Sequence, residues 1–122
     1  MANRQEFSRT DRIRKAVIRE FNDILREEVK HPGLADQLIS VTDAEVTNDL
    51  SYVRIYVSVM GDEETKQNVM TILQESTPKI RSAIGHRIRM RHTPEISIRF
   101  DDSLERGVHV TQLLNQIARG EV

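Results

Sequence analysis

The sequence predicts one α+β domain, a two-layer sandwich in which helices gather on one side of a small sheet. Three observations lead to this prediction. Hydrophobic periodicity follows the order helix, strand, strand, helix, helix, strand, and then a helical C-terminal tail. The length of 122 residues is enough for one core and too short for two. A hydrophobic content of 38% and a charged content of 30% are typical of a small globular domain with a modest interior.

The first predicted helix runs from about residue 9 to residue 30, after residues 1–7, which we expect to be frayed. Ser8 and Asp11 have the spacing of a capping box at its start. Residues 31–33, His-Pro-Gly, end it. Apolar residues keep helical spacing between these limits: Ile13, Val17, Ile18, Phe21, Ile24, Leu25 and Val29.

Two strands are predicted next, joined as an antiparallel hairpin. Residues 39–46 are rich in β-formers but alternate poorly, with Thr42 facing away from Val41. Residues 52–59 alternate clearly between apolar and polar side chains, so one face of this strand must be buried. Residues 47–51, Thr-Asn-Asp-Leu-Ser, have the chemistry of the connecting turn.

A second helix is predicted from Glu63 to about Glu75, with Asp62 as its N-cap. A third strand is predicted from about Glu95 to Phe100. The residues that the second helix should bury are Val69, Met70, Ile72 and Leu73. The core domain is expected to span about residues 9–107, and residues 108–122 form a short helix or a tail that orders only on a partner.

Between these elements lies the basic segment, residues 76–93, which carries five cations and no acidic residue in a chain of net charge −1. Ser76 or Thr77 could cap a third helix here, and Pro78 suits its first turn. A helical wheel predicts that this helix ends near Arg89 and that Arg87 snorkels at the edge of the buried face. The residues predicted to be buried are Ile80, Ala83, Ile84 and Ile88.

The element order, with two helices between the second and third strands, is that of a type II KH domain. This is an analogy of topology, and topology alone does not define function.

Several function classes have no support in the sequence. There is no cysteine, no nucleotide-binding or hydrolase motif and no apolar stretch of about 20 residues that would cross a bilayer. His86, His92 and His109 match no common metal-ligand spacing. Asp101 and Asp102 are better explained as turn or capping residues than as a catalytic pair. We therefore expect a cytoplasmic protein that is not an enzyme and has no catalytic residues, no metal and no cofactor.

The charge pattern indicates a polyanion ligand. Residues 32–75 carry a net charge of −6 whereas the basic segment carries +5, so one surface of the protein should face an anion. Because the basic segment contains no aromatic residue, phosphate contacts should dominate over base stacking, and structured RNA is the predicted ligand. The predicted RNA-binding residues are Lys79, Arg81, Arg87, Arg89 and Arg91, with Arg12, Lys15 and Arg19 of the first helix as weaker candidates.

Two other interpretations stay open at this point. The charges of the basic segment could simply solvate the surface, and for the stripe on the first helix a solvated face is the favoured interpretation because Glu20, Glu27 and Glu28 are close in sequence. Alternatively, the protein is an interaction module that docks another factor through a strand edge or through the acidic surface of residues 32–75.

Specific residues also resemble a known family, in order and spacing, from about Arg9 to Gly107. They are residues 39–50 (ISVTDAEVTNDL), 55–59 (IYVSV), 80–82 (IRS), 89–96 (RMRHTPEI) and 102–104 (DSL). On these residues the chain is identified as a member of the bacterial ribosome-binding factor A family. The resemblance implies a KH-like protein that binds the free small ribosomal subunit and its RNA late in assembly. It further implies a role in ribosomal RNA processing and in growth in the cold. We expect the protein to be a monomer.

The chain departs from the family pattern at one place. The family has an Ala-x-Gly kink between its two central helices where other KH domains have a GxxG loop, and this chain has Ser76, Thr77 and Pro78 there. We expect the kink to be kept because proline at a first helical turn can produce the break that glycine permits. Pro78 has no N–H to donate, so this residue offers RNA no backbone hydrogen-bond donor.

Overall fold

The structure is a computed structural model that describes residues 8–101. It contains three α-helices and three strands in the order α1, β1, β2, α2, α3, β3 within those residues. Their bounds are α1 Arg9–Ile24, β1 Ile39–Val46, β2 Tyr52–Val59, α2 Glu63–Glu75, α3 Thr77–Arg87 and β3 Glu95–Phe100. The α+β class, the element order and all six predicted elements are confirmed, while the predicted tail after Gly107 lies outside the described residues.

The three strands form one sheet in the order β1-β2-β3, with β2 antiparallel to β1 and parallel to β3. Only one face of the sheet is fully covered. In β2 the side chains of Val53, Ile55, Val57 and Val59 are buried, whereas those that alternate with them are half-buried or exposed. The helices therefore pack on a single face, as a two-layer arrangement requires.

The weak alternation of β1 has a structural cause. A β-bulge interrupts the pairing, because Val41 pairs with Val57 and the next paired residue, Asp43, is opposite Tyr56. Thr42 is the extra residue. The less exposed positions are odd-numbered before it, with Ile39 and Val41 half-buried, and even-numbered after it, with Ala44 1% exposed. The predicted orientation of Thr42, away from Val41, is a local feature of this bulge.

The first helix is longer than its regular α-helical part. Ser8 caps it by accepting a hydrogen bond from the Asp11 N–H at 3.2 Å, as the sequence predicts. After Ile24 the chain continues as a wider π-helical turn, Leu25–Val29, and Lys30 ends it in the left-handed conformation with φ 55°. Its buried side chains are Ile13, Ala16, Val17, Phe21, Ile24, Leu25 and Val29, which form much of the core with β2.

A single residue, Ser76, separates α2 from α3. The prediction that Ser76 or Thr77 caps α3 is wrong: the side chain of Ser76 makes no capping bond, and Thr77 Oγ1 instead donates to the Leu73 carbonyl at 3.0 Å. The backbone bonds continue through the junction, because the Ile80 N–H bonds to the Ser76 carbonyl and the Ser76 N–H bonds to that of Ile72. The junction is therefore tightly bonded, with Pro78 in the first turn of α3.

The buried face of α2 is narrower than predicted. Val69 and Leu73 are buried, whereas Met70 and Ile72 are half-buried and pack at the margin of the core. Asp62 caps this helix by accepting from the Thr65 N–H at 2.8 Å, as predicted.

Candidate nucleic-acid interface

Helix α3 fixes the basic segment to the core through one apolar stripe. Ile80, Ala83 and Ile84 are fully buried, and Ile88, the first residue after the helix, is 5% exposed. The helical wheel predicted from sequence is thus confirmed, and Lys79 and His86 lie on the exposed side. The helix ends at Arg87, two residues earlier than predicted, because Ile88 is already extended.

The residues after α3 fold back along the helix. Arg81 donates from Nε to the Pro94 carbonyl and from a terminal nitrogen to the Thr93 carbonyl, both at 2.9 Å. Thr93 also lies against Gly85 so closely that a Cβ built on Gly85 would be 2.6 Å from Thr93 Oγ1. The cations of the helix and those of the returning loop are therefore held in one part of the surface.

Arg87 has a different position from the other cations of the basic segment. Its guanidinium forms ion pairs with three carboxylates of α1 and the π turn: Glu20 at 3.3 Å, Glu27 at 2.6 Å and, closer still, Glu28. The hydrogen bonds that Arg87 donates, first those to Glu27 and Glu28, raise the pKa of its guanidinium. The side chain is only 20% exposed, so Arg87 joins α3 to the end of α1 and has its charge balanced within the fold.

His86 extends this cluster. Its Nε2 lies 2.8 Å from Glu28 Oε1, so Glu28 contacts two side chains of α3. The hydrogen bond from Arg87, together with a weaker contribution from His86, lowers the pKa of the Glu28 carboxyl, although partial desolvation opposes the shift. Through these two contacts Glu28 holds the C-terminal end of α3 in place.

Three predicted residues are exposed and have no hydrogen-bond or ion-pair partner among residues 8–101. We call them the outer cations: Lys79, Arg89 and Arg91. Arg81 is intermediate, because its guanidinium is 42% exposed and has Glu95 at 3.6 Å. A cation without an internal partner can bind a phosphate without first losing an existing bond. The geometry therefore separates the five cations of the basic segment into three outer cations, the intermediate Arg81 and a structural residue, Arg87.

The weaker candidates on α1 form a second group. Arg12, Lys15 and Arg19 all lie on the exposed side of the helix. Arg19 is near its sequence neighbour Glu20, at 3.5 Å, which partly offsets its charge. The contribution of these three residues to RNA binding stays a prediction.

Sequence reasoning missed the pairing partners of these cations. The acids that hold Arg87 are 59 to 67 residues away in the chain, and Arg14 forms a 2.9 Å pair with Asp43 across 29 residues. The one available signal was the predicted position of Arg87 at the edge of the buried face. The structure confirms that position, but carboxylates rather than water surround the guanidinium.

Two negative findings concern residues 8–101 only. No group of three or more metal-ligating side chains comes together there. No helix in that range is long and apolar enough to cross a membrane.

Fold and site together define a class of protein: a small α+β domain whose mixed sheet is covered by helices on one face and whose surface presents outward cations suited to phosphate groups. Within that class, the chain belongs to the ribosome-binding factor A family, whose model matches residues 9–114. This confirms the resemblance found from the sequence.

Relatives and solved structures agree with this assignment. A ribosome-binding factor A from Acetivibrio thermocellus is 45% identical and the match covers 88% of this chain and 87% of that protein. Another from Clostridium botulinum strain Okra is 41% identical over 93% of each chain. The crystal structure of ribosome-binding factor A from Thermus thermophilus is similar in fold, with a TM-score of 0.52, 22% identity and coverage of 71% of this chain and 86% of that one.

A further similar structure is a homology model of the Thermus thermophilus protein that was fitted into a cryo-EM map of a 30S–RbfA complex. Its TM-score is 0.54 at 23% identity, and the match covers 75% of this chain and 90% of that one.

Proposed function

We propose that this protein is a non-enzymatic assembly factor that binds the free small ribosomal subunit through its ribosomal RNA during late maturation. In this proposal it acts as a monomer in the cytoplasm, assists processing of the ribosomal RNA and supports growth in the cold. Family membership supports the ribosomal partner, since a relative of similar fold was fitted into a map of a 30S complex.

One observation carries the choice of binding surface. Lys79, Arg89 and Arg91 are exposed and have no acidic partner among residues 8–101. RNA phosphates are the matching ligand because each neutralised phosphate releases bound counterions. The exposed part of the Arg81 side chain belongs to this surface as well. Arg87 supports the surface indirectly, because it fixes the end of α3.

The element order and the parallel pairing of β2 with β3 support a KH-like architecture of the second type. At the α2–α3 junction, however, Pro78 has no N–H and Ser76 is buried with its N–H bonded to Ile72 and Leu73. This junction has fewer backbone donors for RNA than a glycine-rich loop. We therefore assign RNA contact to side chains of α3 and the following loop.

The test is charge reversal of two outer cations. Arg89→Glu with Arg91→Glu should leave thermal unfolding unchanged, because both side chains are exposed and make no internal bond among the described residues. The same variant should lose most of its co-sedimentation with small subunits at moderate salt. Each lost phosphate contact should also make the fall of log affinity with log salt less steep, by about 0.7 to 0.9 in slope.

A matched control separates local from total charge. Lys66→Glu with Arg99→Glu changes the net charge by the same amount at positions on α2 and β3 that lie outside the basic segment. This control should keep near-normal co-sedimentation. If the folded Arg89/Arg91 variant still binds, the surface lies elsewhere, and Arg12→Glu with Arg19→Glu then tests the stripe on α1.

The alternative function, docking of another factor at a strand edge, is disfavoured by specific contacts. Gln74 Nε2 donates to the Ile98 carbonyl of β3 at 2.9 Å, and Arg81 occupies the carbonyls just before that strand. At the opposite edge of the sheet, the bulge at Thr42 disrupts the regular edge of β1. Docking through an apolar edge would also respond little to salt, so the salt slope distinguishes the two functions.

A further inference from the structure

The end of the hairpin remote from the turn carries an apolar patch. Leu38 is 70% exposed and Met60 is 66% exposed, and they are the exposed large hydrophobic residues of the part of the chain that the structure describes. The Met60 N–H donates to the Leu38 carbonyl at 3.1 Å, so the two residues are neighbours. They continue the register that pairs Ile39 with Val59. Two adjacent exposed side chains of this size mark an interaction surface more often than isolated ones do.

A cavity of about 440 Å³ opens beside this patch. Its walls combine apolar side chains with cations, and the lining residues include no Asp or Glu. Apolar lining comes from Leu25, Leu34, Leu38 and Ile39, and the cations are Arg26 and Lys30. A concave apolar site with a few polar groups has the character of a binding site, and this volume accommodates one or two side chains of a partner.

The π turn distributes its charges between two surfaces. Glu27 and Glu28 point to Arg87 on α3, whereas Arg26 and Lys30 line the cavity. The bond from the Lys30 N–H to the Leu25 carbonyl, 3.0 Å, closes this wide turn and fixes both sides of it. Arg26 is paired with Asp23, but Lys30 is exposed and has no ion-pair partner within residues 8–101. The cavity therefore has one cation available for an incoming carboxylate.

We propose that the cavity and the Leu38–Met60 patch dock a protein segment that inserts an apolar side chain and places a carboxylate against Lys30. The inference rests on the proposed function, because the partner is a protein component of the ribosomal particle. RNA is a poorer match: the lining contains no Phe, Tyr or Trp on which a base would stack, and phosphates would leave Leu38 and Met60 uncovered. None of the outer cations is among the residues that line the cavity, so RNA and protein contacts would use different side chains.

Photo-crosslinking tests this proposal on intact particles. The variant Leu38→p-benzoylphenylalanine, in the full chain, is bound to purified small subunits and irradiated, and crosslinked products are identified by mass spectrometry. The matched control carries the same group at Gln67, an exposed residue of α2. The proposal expects a crosslink from position 38 to one ribosomal protein, at a segment containing apolar and acidic residues, and no equivalent product from position 67.

A second measurement checks the chemistry of the contact. Leu38→Asp should weaken association with the subunit about tenfold, which corresponds to about 1.4 kcal/mol, because it places a carboxylate where an apolar side chain is expected. Lys30→Glu should also weaken association, whereas Lys30→Arg should retain it because the charge is conserved. Since Leu38 and Lys30 are exposed, each variant should unfold at the parent temperature.

The outcomes distinguish this inference from the proposed function. If the unaltered chain fails to co-sediment with small subunits, the proposed function and this inference are both overturned. If it co-sediments but position 38 crosslinks to ribosomal RNA, to a second copy of the chain or to nothing, only this inference is overturned. A position-38 crosslink to a basic protein segment, or unchanged association of Lys30→Glu, would likewise overturn it.

Discussion

Arg87 and Arg89 are two residues apart in the same basic segment, but the structure gives them different environments. Arg87 lies under the end of α3, 20% exposed, with three carboxylates around its guanidinium. Arg89 is exposed on the following loop and has no partner within residues 8–101. A run of cations in a sequence can therefore contain residues that hold the fold together beside residues that are available to a ligand.

The difference arises from where the helix ends. Arg87 is the last residue of α3, and it faces Glu20 of α1 and the two acids of the π turn. Ile88 then turns the chain into an extended conformation and buries its own side chain. Arg89 consequently leaves the helix on the solvent side, and the loop returns toward Arg81. The buried or internally paired residues of the basic segment, here called its inner residues, should therefore affect stability. The outer cations should affect binding.

The largest expected effect is a loss of stability on substitution of an inner residue of the basic segment. Ile84→Ala should lower the free energy of unfolding by about 2 to 5 kcal/mol, because it removes buried methyl and methylene groups from a fully enclosed site. Urea unfolding of the parent and the variant measures this difference. Ser82→Ala, at an exposed position of the same helix, is the control and should change stability little. An Ile84→Ala variant as stable as the parent would contradict the assignment of the buried face.

A smaller effect is expected at the two arginines. Arg87→Gln should lower the unfolding temperature, because Glu20, Glu27 and Glu28 lose their shared cation and are left close together. The loss should be smaller than that of Ile84→Ala, since the cluster is partly solvated. Arg89→Gln should stay within about 0.5 kcal/mol of the parent, as is usual for a surface substitution. Equal stability of the two glutamine variants would remove the distinction between inner and outer cations.

Most of the fold followed from hydrophobic periodicity and capping residues. The alternation of Val53, Ile55 and Val57 required a strand with one buried face, and Asp62 marked the start of α2. These signals are local, and their structural consequences are set within a few residues. The bulge at Thr42 was not predictable in the same way, because it is defined by the register with Tyr56 and Val57 on the partner strand.

The site was only partly predictable for a related reason. Exposure of Lys79 followed from the helical wheel, since one helix determines which of its faces is buried. The neutralisation of Arg87 depends on acids about 60 residues earlier in the chain, and it requires the packing of α3 against the end of α1. The cavity beside Leu38 likewise appears only when residues from α1, the π turn and the start of β1 meet. Features made by several distant elements are not encoded in any single periodicity.

The smallest expected effect concerns pH and Glu28. The hydrogen bond from Arg87 is the main cause that lowers the pKa of this carboxyl in the folded state. Its contribution to stability is therefore fully present above the ordinary glutamate pKa of about 4.3 and is lost as the pH falls through the lower folded-state pKa. Arg87→Gln removes this main cause, so the loss of stability that it produces should be larger near neutral pH than at about pH 3.

The measurement is the difference in unfolding free energy between the parent and Arg87→Gln, taken from urea unfolding across this acid range. Asp49 and Asp62 also have lowered pKa values, caused by hydrogen bonds from Ser51 and from Thr65, but both are present in the parent and in the variant and cancel in the difference. Arg89→Gln serves as the control and should follow the parent at every pH, because Arg89 contacts no carboxylate among residues 8–101. A difference for Arg87→Gln that stays constant with pH would show that the residue acts by packing alone, and the inner cation would then be distinguished from the outer ones by its burial rather than by its charge.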